Sequence, residues 1–293
     1  MISVIVCSVD PDQLEALMKN IEATISVPYE LIAYDNRNTG RGICAVYNEG
    51  VKRAKYELLC FVHEDVRFLS ADWGSVVQNI FANNSRCGLL GIAGSQYKTA
   101  APSGWHTIGL ASARYNLVQG FKRNNQADEH RQQSDENQTE SEVAVIDGVW
   151  FCTTKKIAIQ LPFDEQHLVG FHGYDIDFSL QVGQSYQVIV TQNVLLKHFS
   201  EGNFDQGWVT EMLAVHRKWH DKLPVNRGSF NAAQLRSAEK KTLRAFVKKA
   251  VDTGIAKREI LAVLSKQKLL RILGWPTVVL LMLILLVRPV KGR

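Results

Sequence analysis

Residues 2–21 read ISVIVCSVDPDQLEALMKNI, a short apolar run followed by an amphipathic one. The run from Ile2 to Cys7 is rich in β-branched residues and is typical of a buried strand. Apolar residues then recur at the spacing of one helical face, at Leu14, Leu17, Met18 and Ile21. Asp10 and Pro11 suit the N-cap and first turn of that helix. The stretch therefore predicts a strand followed by a helix, which is the opening of an α/β domain.

The same unit recurs further along the chain. A second apolar run covers 29–34, a helical segment extends from about Ile43 to Ala54, and a third apolar run covers 57–62. Strands that alternate with helices form a mostly parallel sheet, whose functional loops follow the carboxyl ends of the strands. We therefore predict an α/β fold with a mostly parallel central sheet, and expect its chemistry at residues 7–10, 35–37 and 63–65.

The 293 residues are predicted to divide into three parts. Residues 1–225 form one α/β domain, residues 226–271 a basic helical extension, and residues 272–287 an apolar segment that associates with a membrane. Within the domain, residues 122–142 contain no large apolar side chain, so a mobile polar loop or insertion is expected there.

The distribution of charge argues against a nucleic-acid-binding protein. The chain carries a formal charge of +5 and has an isoelectric point near 8.9. Residues 236–293 contain fourteen Lys and Arg against three acids, a net charge of +11, which leaves −6 on the remainder. An acidic body without an aromatic and basic surface motif does not suit nucleic acid.

The basic tail suits a membrane surface instead. Residues before the apolar run predict a helix of about 35 residues, in which apolar positions recur among eleven basic ones. The sixteen residues from Ile272 to Val287 would be about 24 Å long as a helix, short of the about 30 Å of a bilayer core. We predict that this segment attaches the chain to the anionic cytoplasmic leaflet of a membrane, either by spanning the membrane or by lying on its surface. The alternative is a helix that packs on the body or in an oligomer interface.

Cysteine usage indicates a reducing compartment. The chain has five cysteines, an odd number, with no Cys-x-x-Cys pair, and most lie within apolar runs. The first strand begins at residue 2, so no signal peptide is expected before it. We predict a cytoplasmic body.

The first chemical signal is the triplet His63, Glu64 and Asp65 after an apolar strand. Carboxylates at a strand's carboxyl end can hold Mg²⁺ or Mn²⁺ against a diphosphate, because these ions prefer hard oxygen ligands. A charged strand-to-loop turn would give the same triplet. Cys60 and His63 have the spacing of a zinc half-site, but no second ligand pair matches it.

Two further signals come later in the chain. Asp175 and Asp177 open a predicted helix, where a carboxylate can act as a general base or simply cap the helix. His198 follows a late apolar strand, where a structural role is the alternative. If Asp65 lies near it, the imidazole would complete a mixed oxygen and nitrogen site suited to Mn²⁺.

The order of these features carries a resemblance. The motifs along the chain are ISVIVCS, YELIAYDNR, CAVYNEGVKRAKYELLCFVHED, VIDGVWFCTTKKI, FDEQ, GYDIDFSLQ and KHFSEGNF. This series, over residues 2–205, resembles the glycosyltransferases of the family-2 type, which have the GT-A fold. Each motif is loose, but seven in the right order are much more specific than any one of them.

The resemblance implies a donor site for a nucleotide sugar. Ser8 and Asp10 would line it, Asp35 would bind the base or ribose, and Asn48 holds the position of the family's helix Asn. Glu64 is assigned to the same site.

The resemblance also implies the catalytic groups. Asp65 matches the last Asp of the family's Asp-x-Asp element, His63 stands at its first position, and His198 matches a third metal ligand of some GT-A enzymes. Asp175 matches the catalytic base, with Tyr174 in place of the preceding Glu, so Asp177 is a second candidate. Three residues are expected near the donor sugar or acceptor, with a core position as the alternative for the last: Asp147, Gly148 and Trp150.

The function expected from this resemblance is an inverting, metal-dependent glycosyltransferase that uses Mn²⁺ or Mg²⁺. Its donor would be a nucleotide sugar, with UDP as the expected nucleotide. Its acceptor would be a glycan or lipid-linked hydroxyl in the synthesis of a surface polysaccharide or glycoconjugate. The alternatives are a non-catalytic glycan- or nucleotide-binding module of the same fold, and a sugar-phosphate nucleotidylyltransferase. The latter normally opens with a Gly-rich phosphate loop, which is not visible near residues 7–14.

Overall fold

The computed structural model describes residues 1–121 and 126–287. Its strands are β1 (Ile2–Ser8), β2 (Tyr29–Asp35), β3 (Leu58–Val62), β4 (Val66–Phe68), β5 (Cys87–Gly91), β6 (Ala93–Ser95), β7 (Tyr97–Lys98), β8 (Ala113–Gln119), β9 (Glu129–Gln133), β10 (Glu140–Glu142), β11 (Val145–Ile146), β12 (Trp150–Thr154), β13 (Gln187–Thr191), β14 (Leu196–His198) and β15 (Val225–Asn226). Its helices are α1 (Pro11–Thr24), α2 (Ile43–Arg53), α3 (Trp73–Asn83), α4 (Lys155–Gln160), α5 (Tyr174–Val182), α6 (Gln206–Lys218), α7 (Ala232–Asp252), α8 (Lys257–Leu264), α9 (Gln267–Leu273) and α10 (Trp275–Val287).

The central sheet has seven strands in the order β10-β13-β5-β12-β3-β1-β2. Five of them, β1, β2, β3, β5 and β13, run in the same direction, whereas β10 and β12 oppose them. The predicted α/β fold with a mostly parallel sheet is therefore confirmed. Because β1, β2 and β3 are neighbours and parallel, their carboxyl ends meet at one edge, and residues 7–10, 35–37 and 63–65 lie there together.

Both faces of this sheet are covered. Along β1, Ile2, Val4 and Val6 pack into a cluster with α1 and α3, whereas Ile5 packs into a cluster with α2 and α5. Side chains of a strand alternate between the faces, so a continuous apolar run such as β1 needs a helical layer on each side. This accounts for the run that opens the chain.

A second, smaller sheet has the order β11-β6-β8-β14-β4, with β9 paired to the free edge of β8. The predicted loop 122–142 is thus wrong in part: residues 129–133 and 140–142 form β9 and β10, whereas residues 122–125 lie outside the described residues. Backbone pairing with β8 and β13 explains the strands, since exposed edge strands need few apolar side chains.

Residues 232–287, the described portion of the C-terminal part, form four packed helices, α7 to α10. The predicted single helix of about 35 residues is wrong, because α7 ends at Asp252 and Gly254 turns the chain with a φ of +78°. Of the predicted apolar segment 272–287, the thirteen residues 275–287 form α10, whereas Ile272 and Leu273 end α9. Within residues 1–121 and 126–287, no helix has the length and apolar character that a membrane crossing requires.

Helix α7 is fixed to the domain by a buried carboxylate. Glu239 is fully buried, and it accepts hydrogen bonds from the backbone N–H of Ala100 (2.8 Å), the N–H of Ala101 (3.1 Å) and the hydroxyl of Tyr97 (2.8 Å). Apolar residues of α6 and α7 pack around this contact in one cluster with α8–α10. The extension is therefore packed onto the α/β body.

We expect Glu239→Ala to lower the free energy of unfolding by about 2–3 kcal/mol, since it leaves buried N–H groups unpaired. Asp252→Ala is the matched control, because this exposed acid of the same helix forms a surface ion pair with Lys248, worth about 0.5 kcal/mol. Urea unfolding of both variants measures the difference. Equal losses would show that Glu239 does not attach α7.

Candidate active site

A cavity of about 630 Å³ lies at the carboxyl edge of the central sheet. Loops after β1, β2 and β3 form one side of it, and the start of α5 forms the other. The segments after β7 and β14 close it. The lining residues from the strand ends and from α5 include Cys7, Val9, Asn36, His63, Glu64, Asp65, Asp147, Gly148, Tyr174, Asp175 and His198.

The side nearest β1 is shaped by Glu64. Its carboxylate accepts hydrogen bonds from the backbone N–H groups of Val9 and Asp10, all at 3.1 Å, and so fixes the turn that leads into α1. Asp10 is the N-cap of α1 and accepts from the N–H of Asp12. Glu64, Val9 and Gln13 line the cavity, whereas Asp10 does not.

Two other predicted donor-site residues lie just behind this wall. Ser8 is buried, and its carbonyl accepts from the N–H of Asn36, which lines the cavity. Asp35 is exposed and pairs with Arg37 at 2.5 Å, which lowers the pKa of its carboxyl to about 2. Neither side chain lines the cavity, whereas Asn36, which contacts Ser8 and follows Asp35, does.

Three side chains at the centre of the cavity have the arrangement of metal ligands. Donor atoms of His63, Asp65 and His198 all lie within 4.8 Å of one another. His198 Nε2 lies 3.5 Å from Asp65 Oδ1, and the hydroxyl of Ser200 donates to Asp65 Oδ2 at 2.5 Å. Two imidazole nitrogens and one carboxylate oxygen suit a divalent transition metal such as Mn²⁺. These residues therefore fit the ion that the sequence predicts.

His63 and Tyr174, the two positions that depart from the family pattern, contact each other. His63 Nε2 lies 2.7 Å from the Tyr174 hydroxyl, which in turn donates to the carbonyl of Gly148 at 3.1 Å. Because the Tyr174 hydroxyl donates its single proton to the Gly148 carbonyl, it can only accept from His63. Nε2 of His63 therefore carries the ring proton, and Nδ1 keeps its lone pair. Burial lowers the pKa of His63 to about 4, so the ring is neutral at pH 7. A Cβ at Gly148 would lie 2.2 Å from the Tyr174 oxygen, which explains the glycine.

Asp175 projects into the same cavity from the first turn of α5. Its Oδ2 accepts from the N–H of Gly148 at 3.1 Å, and its Oδ1 from the N–H of Ile176 at 2.9 Å. Gly173 precedes the helix with a φ of +76°, a conformation that favours glycine. Burial, and then the nearby Asp147 carboxylate, raise the pKa of Asp175 to about 7. A carboxylate with such a pKa can take up a proton at neutral pH.

Three more of the predicted site residues do not line the cavity. Asp177 is buried and binds Lys218 Nζ at 2.9 Å and the indole N–H of Trp219 at 2.7 Å, so it anchors α6 and does not face the cavity. Asn48 is buried and exchanges hydrogen bonds with both backbone groups of Phe163. Trp150 is fully buried and packs edge-on against Trp73, the core alternative of the prediction.

The sequence prediction missed one wall of the cavity. Gly104 and Trp105, from the long segment between β7 and β8, line it opposite the strand ends, together with Phe171 and His172 before α5. A tryptophan within a Gly, Ser and Pro-rich passage is a signal that could have identified this segment.

Comparisons with known proteins agree with this geometry. Residues 3–223 match the Glycosyltransferase like family. A comparison with curated proteins finds no match. Among solved structures, the chain is similar to TarS of S. aureus, residues 1–349, with 10% sequence identity, a TM-score of 0.53, and coverage of 94% of this chain and 82% of that one.

Two further solved structures are similar. The same TarS segment in complex with UDP aligns with 11% identity and a TM-score of 0.51, covering 96% of this chain and 85% of that one. A structure of GalNAc-T7 with UDP, GalNAc and Mn²⁺ aligns with 9% identity and a TM-score of 0.49, covering 83% of this chain and 56% of that one.

The TarS likeness, at this low identity, shows the fold, and the family match covers most of the chain. Together with a cavity at the strand ends that combines a potential metal site and a potential base, these findings identify the activity. The chain belongs to the Glycosyltransferase like family and is a nucleotide-sugar glycosyltransferase with a GT-A fold.

Proposed function

We propose that this glycosyltransferase is metal-dependent and inverting, and that it transfers a sugar from a UDP-sugar to a hydroxyl of a glycan or lipid-linked acceptor. The observation that carries the proposal is that the His63, Asp65 and His198 cluster and the carboxylate of Asp175 line one cavity. UDP is favoured because it is the nucleotide in the TarS complex. Synthesis of a surface polysaccharide or glycoconjugate is the proposed role.

The donor would lie with its nucleotide against the loops after β1 and β2. The N–H groups of Val9 and Asp10 are occupied by Glu64, so recognition there depends on side chains such as Asn36 and Gln13. His63, Asp65 and His198 would hold Mn²⁺ or Mg²⁺, which supplies positive charge for the diphosphate as it leaves. Ser200 and Tyr174 fix the orientation of two of these ligands.

Asp175 would act as the general base. As the acceptor oxygen forms a bond to the anomeric carbon, the proton of the acceptor hydroxyl passes to Asp175. The bond between the anomeric carbon and the phosphate oxygen breaks, and UDP leaves with the electron pair of that bond. One displacement from the opposite face inverts the anomeric configuration. Burial, and then the Asp147 carboxylate beside it, keep the pKa of Asp175 close to neutral pH.

The experiment is a panel of nucleotide sugars incubated with the full chain and Mn²⁺, with released nucleotide measured over time. We expect slow donor hydrolysis with one UDP-sugar, and loss of that hydrolysis with EDTA. Proton NMR of the first-formed sugar reads its anomeric configuration. Hydrolysis that is unaffected by EDTA would contradict the metal dependence, and a retained configuration would contradict inversion.

We also propose that the chain lies on the cytoplasmic face of an anionic membrane through α10. One face of α10 packs on α7, α8 and α9 through Val278, Leu281 and Leu285. Among the side chains of α10 that the structure describes, four apolar ones on the other face are exposed: Trp275, Val279, Leu280 and Leu283. Arg236 lies beside Gly274 at the start of α10, and Lys268 and Arg271 precede it. An exposed apolar face with cations beside it suits anionic lipid. The cytoplasmic side is proposed because the five cysteines are free thiols, which suit a reducing compartment.

Flotation with vesicles tests this attachment. We expect the chain to bind vesicles that contain phosphatidylglycerol, and Leu280→Asp with Leu283→Asp to reduce binding by about tenfold or more, since charges replace inserted apolar groups. Ile159→Asp is the matched control, because Ile159 is 60% exposed on α4. Equal binding by all variants, or none by the wild type, would overturn the proposal.

A further inference from the structure

A second cavity adjoins the catalytic one, against β8 and β9. Its volume is about 610 Å³, within the range of about 300–1,000 Å³ common for ligand sites. Both cavities share four lining residues: Trp105, Gln119, Asp147 and His198. The residues after β1 and β2 line only the first cavity, so the second lies on the side away from them.

The lining of this second cavity combines aromatic rings with hydrogen-bonding groups. Trp105 and Tyr115 supply the rings, and the polar groups are His106, Gln119, Glu129, His130, Arg131 and Gln132. A sugar ring presents a C–H face that packs on an aromatic ring, and hydroxyls around its rim that need donors and acceptors. This composition therefore matches a carbohydrate.

The charges of the second cavity favour a neutral ligand over a phosphate-bearing one. Arg131 pairs with Glu129 at 2.7 Å, so its charge is already compensated. Asp147 adds a negative charge at the junction with the first cavity. His130 has its own partner, since its Nε2 lies 3.0 Å from Asn116 Oδ1.

The segment that carries Trp105 is fixed from behind. The fully buried Lys98 donates to the Ser103 carbonyl at 2.6 Å and to the Gly104 carbonyl at 3.1 Å. Glu239 binds the N–H groups of Ala100 and Ala101 in the same segment. An aromatic side chain on a segment held this way binds without a large ordering cost.

We propose that the second cavity binds the non-reacting sugar units of a glycan acceptor, with Trp105 packed on the unit next to the reacting one. The reacting hydroxyl would extend past Asp147 to Asp175. The acceptor is thus a neutral glycan of at least two units. This inference rests on the proposed function, because it assumes that Asp175 activates an acceptor hydroxyl.

The test is an array of neutral mono-, di- and trisaccharides, probed with the fluorescently labelled full chain. We expect binding of di- or trisaccharides in preference to their monosaccharides. Trp105→Ala is expected to reduce that binding by about tenfold or more, because it removes the packing ring. His106 is exposed and lines only the second cavity, so His106→Ala should reduce saccharide binding to a smaller extent. Trp275→Ala removes a tryptophan that lines neither cavity, and this variant should bind the saccharides as the wild type does.

Several outcomes would overturn the inference. They are the absence of any glycan binding by the wild type, a preference for monosaccharides, or equal binding by Trp105→Ala when thermal unfolding shows that it is folded. The rise in Tm that UDP with Mn²⁺ causes in the wild type is measured in parallel. If that rise is present and glycans do not bind, only the acceptor site fails; if both are absent, the proposed function fails as well.

Discussion

Asp175→Asn is expected to reduce sugar transfer by about 10²–10⁴-fold, because it removes the group that accepts the acceptor's proton. The amide keeps the size of the carboxylate, so the cavity stays intact. Asp177→Asn is the matched control. It lies two residues away on the same helix, binds Lys218 and Trp219, and should keep transfer while losing stability. Transfer by Asp175→Asn at the wild-type rate would remove Asp175 from the mechanism.

The pH dependence provides a second readout. The transfer rate of the wild type should rise with pH and reach half of its maximum near pH 7, where Asp175 loses its proton. Asp147→Asn should move this midpoint to lower pH, because the Asp147 carboxylate helps to raise the pKa of Asp175. The amide can still accept from the N–H of Val149. An unchanged midpoint would show that another group controls the rate.

The free energy of unfolding should also depend on the titration of the Asp175 carboxyl. The folded pKa of Asp175, about 7, lies above its usual value of 3.8, so the folded state binds this proton more tightly and loses stability as pH rises through that window. The amide that Asp175→Asn introduces does not titrate. Between pH 5 and pH 8 the Tm difference should therefore move in favour of Asp175→Asn by about 5 °C or more. A constant difference would contradict the raised pKa.

Asp65→Asn is expected to have the second large effect, a loss of Mn²⁺ affinity of about 100-fold or more together with loss of transfer. Asp65 supplies the carboxylate oxygen of the cluster, and His198 and Ser200 both contact it. An amide is a weaker ligand for a divalent cation than a carboxylate, because it carries no net charge. Isothermal titration with MnCl₂ measures the affinity directly.

Glu64→Gln is the control for this change. Glu64 precedes Asp65 in the same cavity but holds the N–H groups of Val9 and Asp10. The variant should therefore bind Mn²⁺ as the wild type does. His198→Ala should weaken binding as Asp65→Asn does, since it removes one nitrogen ligand. Equal Mn²⁺ affinity in all three variants would place the metal elsewhere.

The parts of the site that follow strands could be predicted from the sequence. The apolar run of β3 ends where Asp65 and its neighbours begin, and a parallel sheet brings the ends of its strands to one edge. The end of β3 is encoded locally by the change from apolar to polar residues. His198 reaches Asp65 through a tertiary contact instead, because β14 pairs with β4 in the second sheet and His198 lies opposite Val66.

Side-chain direction was harder to predict. Asp175 and Asp177 are separated by about 200° around the helix axis, so they face opposite sides, but nothing local states which one faces the cavity. Trp150 begins β12, where apolar residues follow on both faces of the strand. Because apolar and polar residues do not alternate there, the sequence does not indicate whether Trp150 faces the core or the cavity. Packing of α6 against Asp177, and of Trp73 against Trp150, decides both cases.

The sequence by itself determined the α/β fold, the order of its first strands and helices, from β1 to β3, and the edge at which its chemistry lies. These follow from hydrophobic periodicity, which acts over a few residues. Tertiary structure alone decided how His63 and Tyr174 act as a pair, and how Glu239 of α7 fixes the segment of Trp105. Each of these contacts joins residues more than 100 positions apart. Their geometry therefore depends on how the layers pack, which no local pattern specifies.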